Sequence, residues 1–145
     1  MILHFKEEKM KEKRSFGTIL LQIALGIMFL VGGIFTLSSG TGDQIAVAIR
    51  TIFTGDIANV VCIILAVIEI ILGVFLILRL FINLGTKLDS VLMLIVLICW
   101  IVVIVLADFL SSSGLFQSLN KNLLRWLYQF ASHLIILGAI IKVRG

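Results

Sequence analysis

Proline is missing altogether from these 145 residues, and charged side chains are scarce at 14%. Without proline, no helix carries the obligatory break or kink which that residue imposes. A charged share well below the about 25% of soluble domains, with 61% apolar residues against the usual about 45–50%, excludes an ordinary water-soluble globule. The two cysteines, Cys62 and Cys99, fall in different apolar runs. They form no CxxC pair and have no neighbouring His or Cys to complete a metal site, so small-residue packing is the plain reading of both. There is no GxSxG, no HExxH and no Gly-rich phosphate loop, so the chain carries no catalytic motif of its own and no metal site. The net charge of +4 does not point to nucleic acid, because the basic residues stand beside apolar runs, where topology and lipid headgroups account for them.

What is there is long apolar sequence. The expected fold is an all-α integral membrane four-helix bundle with spans at about 16–37, 57–82, 89–110 and 122–141. A charged cytoplasmic tail (1–15) precedes this single transmembrane domain, and no room remains for a separate soluble domain. Residues 1–15 mix Lys6, Lys9, Lys11, Lys13 and Arg14 with Glu7, Glu8 and Glu12. A cleaved signal peptide is the competing reading of the first span, but its apolar region of about 20 residues exceeds the 7–15 of a signal h-region. Between the first two spans, Ile45, Ala48, Ile49 and Ile52 repeat with helical spacing. That predicts a short amphipathic interfacial helix, capped by Asp43 and stopped by Gly55, too short to span and able to cover the helix ends.

Glu69 stands at the middle of the second run. At 1.5 Å per residue it lies about 18 Å from Ile57, near the centre of a hydrocarbon core about 30 Å thick. An ionisable group is costly there and must face protein or water. Ala58, Cys62, Ala66, Glu69 and Gly73 form one stripe by steps of four, four, three and four. Small residues mark helix contacts in lipid, so the stripe that packs also turns Glu69 inward. In the first span Gln22, Gly26, Phe29 and Gly33 share a face in the same way. The third span offers only Cys99 and Trp100 near its centre. The fourth opens with Arg125, Trp126 and Tyr128, which suit an interfacial anchor, and carries Arg125, Gln129 and His133 at steps of four with Ser132 beside them. His133 lies about 17 Å from Asn122, level with Glu69.

The candidate ligand or proton site is therefore Glu69, His133 and Gln129, with Gln22 and Arg125 toward opposite membrane faces. A Glu and a His at matched depth can share a proton, hold the head of a quinone or hold a cation. Alternatively the same groups only lock the helices in register, or Glu69 meets a cation of a partner subunit. With the N-terminus inside, nine of the 12 Lys and Arg fall on the inner side and Arg50, Lys121 and Arg125 on the outer. The positive-inside rule then puts both termini in the cytoplasm, with a bacterial cytoplasmic (inner) membrane as the expected location.

In LGIMFLVGGIFTL (25–37), the short amphipathic helix after it and IEIILGVFLIL (68–78), where Glu69 and Gly73 make a Glu-x-x-x-Gly pattern, the chain resembles the DoxX-like family of small four-helix bacterial membrane proteins. The likeness covers roughly residues 16–80. Gln22 and Thr36 stand where such proteins commonly carry an Arg and a Lys. The resemblance implies a membrane-embedded pocket around Glu69, quinone-linked sulfur or redox chemistry, and an accessory role beside oxidoreductases. The function expected is an accessory or redox-linked membrane component with a quinone or another lipid-like ligand. The alternatives are a non-catalytic scaffold or assembly subunit and an oligomeric small-molecule or proton-coupled transporter. Expected partners are membrane lipids and a protein partner or a second copy of the chain, with no nucleic acid.

Overall fold

The computed structural model describes residues 15–39, 44–111, 115 and 123–145. The charged segment 1–14, the proposed Asp43 cap and most of the segment between the last two long helices lie outside the described residues. Five helices follow in order: α1 (Phe16–Ser39), α2 (Gln44–Ile52), α3 (Asp56–Leu78), α4 (Thr86–Ile104) and α5 (Leu123–Arg144). α4 runs on as a π-helical turn, Val105–Leu110, in which Ser111 N–H reaches back five residues to the Leu106 carbonyl at 2.9 Å. The described chain is all-helical, and four helices are long and apolar enough to cross a membrane. At 23 residues, α3 extends roughly 34 Å, enough for a hydrocarbon core of about 30 Å.

The helix ends follow local chemistry. Ser15 caps α1, its Oγ accepting from Thr18 N–H at 3.3 Å. Gly55 and Gly85 precede α3 and α4 with φ of 67° and 81°, backbone that favours glycine, and Asp56 and Asp89 bring negative charge to the first turns. α3 stops at Leu78, where a span to 82 is the sequence expectation. Arg79 N–H still bonds the Phe75 carbonyl, Leu80 N–H shifts to Ile77, and residues 79–81 form a turn.

The closest backbone approach in the bundle is α1 on α3, and glycine makes it possible. A Cβ at Gly33 would sit 2.5 Å from the Ala66 carbonyl oxygen. A Cβ at Gly73 would sit 2.6 Å from Leu30 N and 2.9 Å from the Gly26 oxygen. At Gly26 it would meet Ile77 Cγ1 at 2.7 Å. Ala58, Cys62 and Ala66 are buried on the same face of α3. Contacts of this kind bring many atoms into van der Waals range, and in lipid, whose tails are as apolar as leucine, that packing rather than water exclusion is their source of energy.

The neighbour order is α3–α1–α5–α4, and α2 bridges α3 to the π-helical turn of α4. Where α3 and α4 face one another, large side chains fill the space: Leu72, Phe75 and Leu76 share one cluster with Met93, Val96 and Trp100. The outer faces of the long helices are apolar too, with Ile57, Ile71, Val91 and Ile135 each more than half exposed. Exposed apolar surface on that scale suits contact with lipid.

Two polar groups fasten the bundle at the end where α3 stops. Gln22 is fully buried, and its amide donates to the Leu76 carbonyl at 2.8 Å. That carbonyl is left over because Leu80 N–H turns to Ile77 instead. Arg79, also buried, grips Asp89 with Nε and, at 2.8 Å, with Nη2. Its Nη1 donates to the Val143 carbonyl at 2.9 Å. One guanidinium thus ties α3 to Asp89 at the start of α4 and to the carbonyl-rich end of α5, with the anion at a helix N-terminus and the cation at a C-terminus as the dipoles favour.

The glycine contact makes a prediction. Gly33→Ala pushes a methyl into α3 backbone and costs about 1–3 kcal/mol of bundle stability. Gly138→Ala, which meets nothing within 4 Å, leaves stability unchanged or slightly raised. Reversible unfolding of both variants in bicelles measures the difference.

Candidate functional site

One cavity lies where all five helices converge. Its volume is about 220 Å³, and it is lined by Met28 and Phe29 of α1, Ile45 of α2, Glu69 of α3, Trp100 of α4, and Ser132, His133 and Ile136 of α5. α3 brings Glu69 here because its neighbours on the stripe, Ala66 and Gly73, are held against α1. Glu69 is 8% exposed and is itself engaged within the chain. It also borders a space of about 10 Å³ under α2, with Ile45, Ala46, Ile49 and Cys62, which is at the lower limit for a single water. α2 is not a loose surface helix: Ala46, Ala48 and Ile49 are buried, and the Cys62 thiol lies 3.7 Å from the Ala46 carbonyl.

His133 of α5 lines the same cavity. Its Nδ1 is 2.7 Å from Oδ2 of Asp108, a residue of the π-helical turn with no exposed surface. Gln129 donates to the other carboxylate oxygen, Oδ1, at 2.9 Å. Trp126 Nε1 donates to the Asp108 backbone carbonyl at 2.7 Å. Trp126 also stacks on Phe130, with ring centroids 5.0 Å apart, and meets Phe109 edge-on. Trp126 is therefore an internal contact, whereas its neighbour Tyr128 is exposed at 79%. Trp100 donates its indole N–H to the His133 carbonyl at 3.1 Å and packs edge-to-face against both Phe29 and the His133 ring.

The residues singled out in the sequence thus divide. Glu69 and His133 line one cavity, and Gln129 joins His133 through Asp108. Gln22 belongs to the layer at the α3 C-terminus and does not line the cavity. Arg125 is exposed on the first turn of α5. Cys62 and Cys99 are free thiols in different helices. Among the described residues no three His, Cys, Asp or Glu side chains gather as metal ligands.

Sequence reasoning missed Asp108, since it lies three residues before the SSSG loop and looks like a span end. A signal was present. Trp100, Val103, Ile104, Ala107, Asp108 and Ser111 recur with helical spacing, and all six are buried. Asp108 therefore shares the inward face of Trp100.

Compared with protein-family models, curated proteins and solved structures, the chain has no match.

Removing Asp108 leaves two donors, on Gln129 and His133, without their acceptor. Asp108→Ala therefore lowers unfolding free energy by about 1–3 kcal/mol. Arg125→Ala, on the exposed first turn, stays within about 0.5 kcal/mol. Unfolding in bicelles, followed by Trp fluorescence, separates the two.

Proposed function

We propose that this chain is a small multi-pass membrane protein of DoxX-like type, with both termini cytoplasmic. In this reading it acts as an accessory or redox-linked component that binds the head of a quinone-like lipophile among its helices. The observation that carries the reading is the cavity of about 220 Å³ with Glu69 and His133 on its wall. Pockets for whole drug-sized ligands measure about 300–1,000 Å³, so this one suits a single substituted ring whose tail leaves between the helices into lipid. The wall chemistry fits such a ring: Phe29, Trp100, Met28 and Ile136 supply apolar and aromatic surface, and Glu69 and His133 supply two polar contacts. A carboxyl group and an imidazole at this depth also allow the head group to exchange protons with the protein. α2 covers the cavity through Ile45, a position from which it controls access.

A second reading, a non-catalytic scaffold or assembly subunit, is favoured by a different observation. Gln22, Arg79, Trp100, Trp126 and Asp108 each bridge two helices, and their bonds fasten the bundle without any ligand.

The two readings separate on purified full-length protein in lipid nanodiscs. Under the pocket reading, organic extracts contain an isoprenoid quinone near one per chain. The Glu69→Gln, His133→Leu double variant loses it while keeping helical circular dichroism and a monodisperse profile. An extract without quinone, together with a stoichiometric protein partner that the double variant retains, identifies the scaffold instead.

A further inference from the structure

The hydrogen-bonding capacity of the cavity wall is one-sided. Three polar groups near it have donors, and all three spend them elsewhere. Trp100 gives its N–H to the His133 carbonyl at 3.1 Å, and Ser132 gives its hydroxyl proton to the Tyr128 carbonyl at 2.9 Å. His133 is held at Nδ1 by Asp108, 2.7 Å away. An ionised carboxylate accepts only, so the hydrogen of this contact sits on Nδ1. Gln129 donates to Oδ1 of the same carboxylate at 2.9 Å, which makes that oxygen an acceptor and holds the carboxyl group in place. In the neutral ring a hydrogen on Nδ1 leaves the lone pair on Nε2, which has no hydrogen-bond partner among the described residues, and His133 lines the cavity. Glu69 is engaged within the chain and, when ionised, carries no donor.

From this we infer that the cavity selects head groups that donate hydrogen bonds: a phenol or hydroquinone binds, and the corresponding quinone, an acceptor only, binds poorly. Asp108 is a positioning residue in this account. It touches no ligand and acts by fixing which nitrogen of His133 faces the cavity. The inference rests on the pocket reading above and adds to it the redox form that is bound. A donor facing an acceptor makes a net-favourable hydrogen bond. A carbonyl facing the Nε2 lone pair makes none and leaves both desolvated, so the preference amounts to about tenfold in Kd.

Asp108→Asn offers an inversion. The asparagine Oδ1 still accepts from Gln129, while its Nδ2 now donates to His133 Nδ1. The proton then moves to Nε2, and the cavity wall becomes a donor.

The test uses full-length protein in nanodiscs under anaerobic conditions. Three probes are titrated calorimetrically: a short-chain benzohydroquinone, its benzoquinone and its dimethyl ether. In parallel, 15N-histidine spectra report the tautomer. The chain has two histidines, His4 and His133, and a His4→Gln background leaves one signal to read. The expected result is hydroquinone binding about tenfold tighter than quinone or ether, with a protonated Nδ1 and a bare Nε2. In Asp108→Asn the expected result is a protonated Nε2 and a reversed order of hydroquinone and quinone. If the three probes bind wild type equally, or the quinone binds tightest, the donor selectivity is overturned while the pocket reading stands. If no probe binds, the pocket reading falls and the selectivity with it. A bare Nδ1, or protons on both nitrogens, in wild type overturns the inference even if Asp108→Asn fails to fold.

Discussion

Within a bundle whose inside and outer faces are both largely apolar, a buried polar group has no water beside it. It must find its partner in the chain, and that constraint shapes the whole structure. Burying an unpaired amide or carboxylate costs several kcal/mol, more than a good interhelical hydrogen bond returns. Among the described residues the rule holds closely: the buried side-chain N or O atom without a partner is Arg50 Nε. Paired polar groups collect in two layers. One, at the end where α3 stops, is Gln22 with Arg79 and Asp89. The other is Asp108 with His133 and Gln129.

Between these layers, packing decides geometry. The glycines of α1 and α3 bring two backbones into contact and hold Glu69 inward. Large side chains fill the space between α3 and α4, and the cavity lies among all five helices. Every helix contributes to its wall, and both Glu69 and His133 line it. The short helix α2 is built into this arrangement: its buried alanines and Ile49 seat it on α3, and Ile45 completes the wall.

Much of this was legible in the chain as written. Apolar run lengths indicated four long helices, and the spacing of Ala58, Cys62, Ala66, Glu69 and Gly73 indicated which face of α3 turns inward. The spacing along their helices also pointed to Glu69 and His133 as a pair, and both line one cavity. What periodicity does not carry is pairing between helices. Asp108 and His133 are 25 positions apart, and Arg79 and Val143 are 64 apart. No pattern within one helix announces such a match. Arg79 reads as a topology charge beside Lys87 because positive residues at span ends usually are. It is instead drawn inward by Asp89 and by unsatisfied carbonyls, which is also why α3 ends earlier than its apolar run. Trp126 reads as an interfacial anchor for the same statistical reason, yet the Asp108 carbonyl at a helix end captures its N–H. Span ends are ambiguous because anchoring at the interface and capping of a neighbouring helix draw on the same residue types.

The account turns on Asp108 holding His133 inside the bundle. Solid-state NMR on protein in lipid bilayers, with 15N-labelled histidine and 13C-labelled aspartate, measures that contact directly through the dipolar coupling between His133 Nδ1 and the Asp108 carboxyl carbon. A hydrogen bond of 2.7 Å between Nδ1 and Oδ2 predicts strong dephasing of the His133 signal, abolished in Asp108→Leu. A His133 signal that shows no dephasing, or dephasing that survives the loss of Asp108, contradicts it.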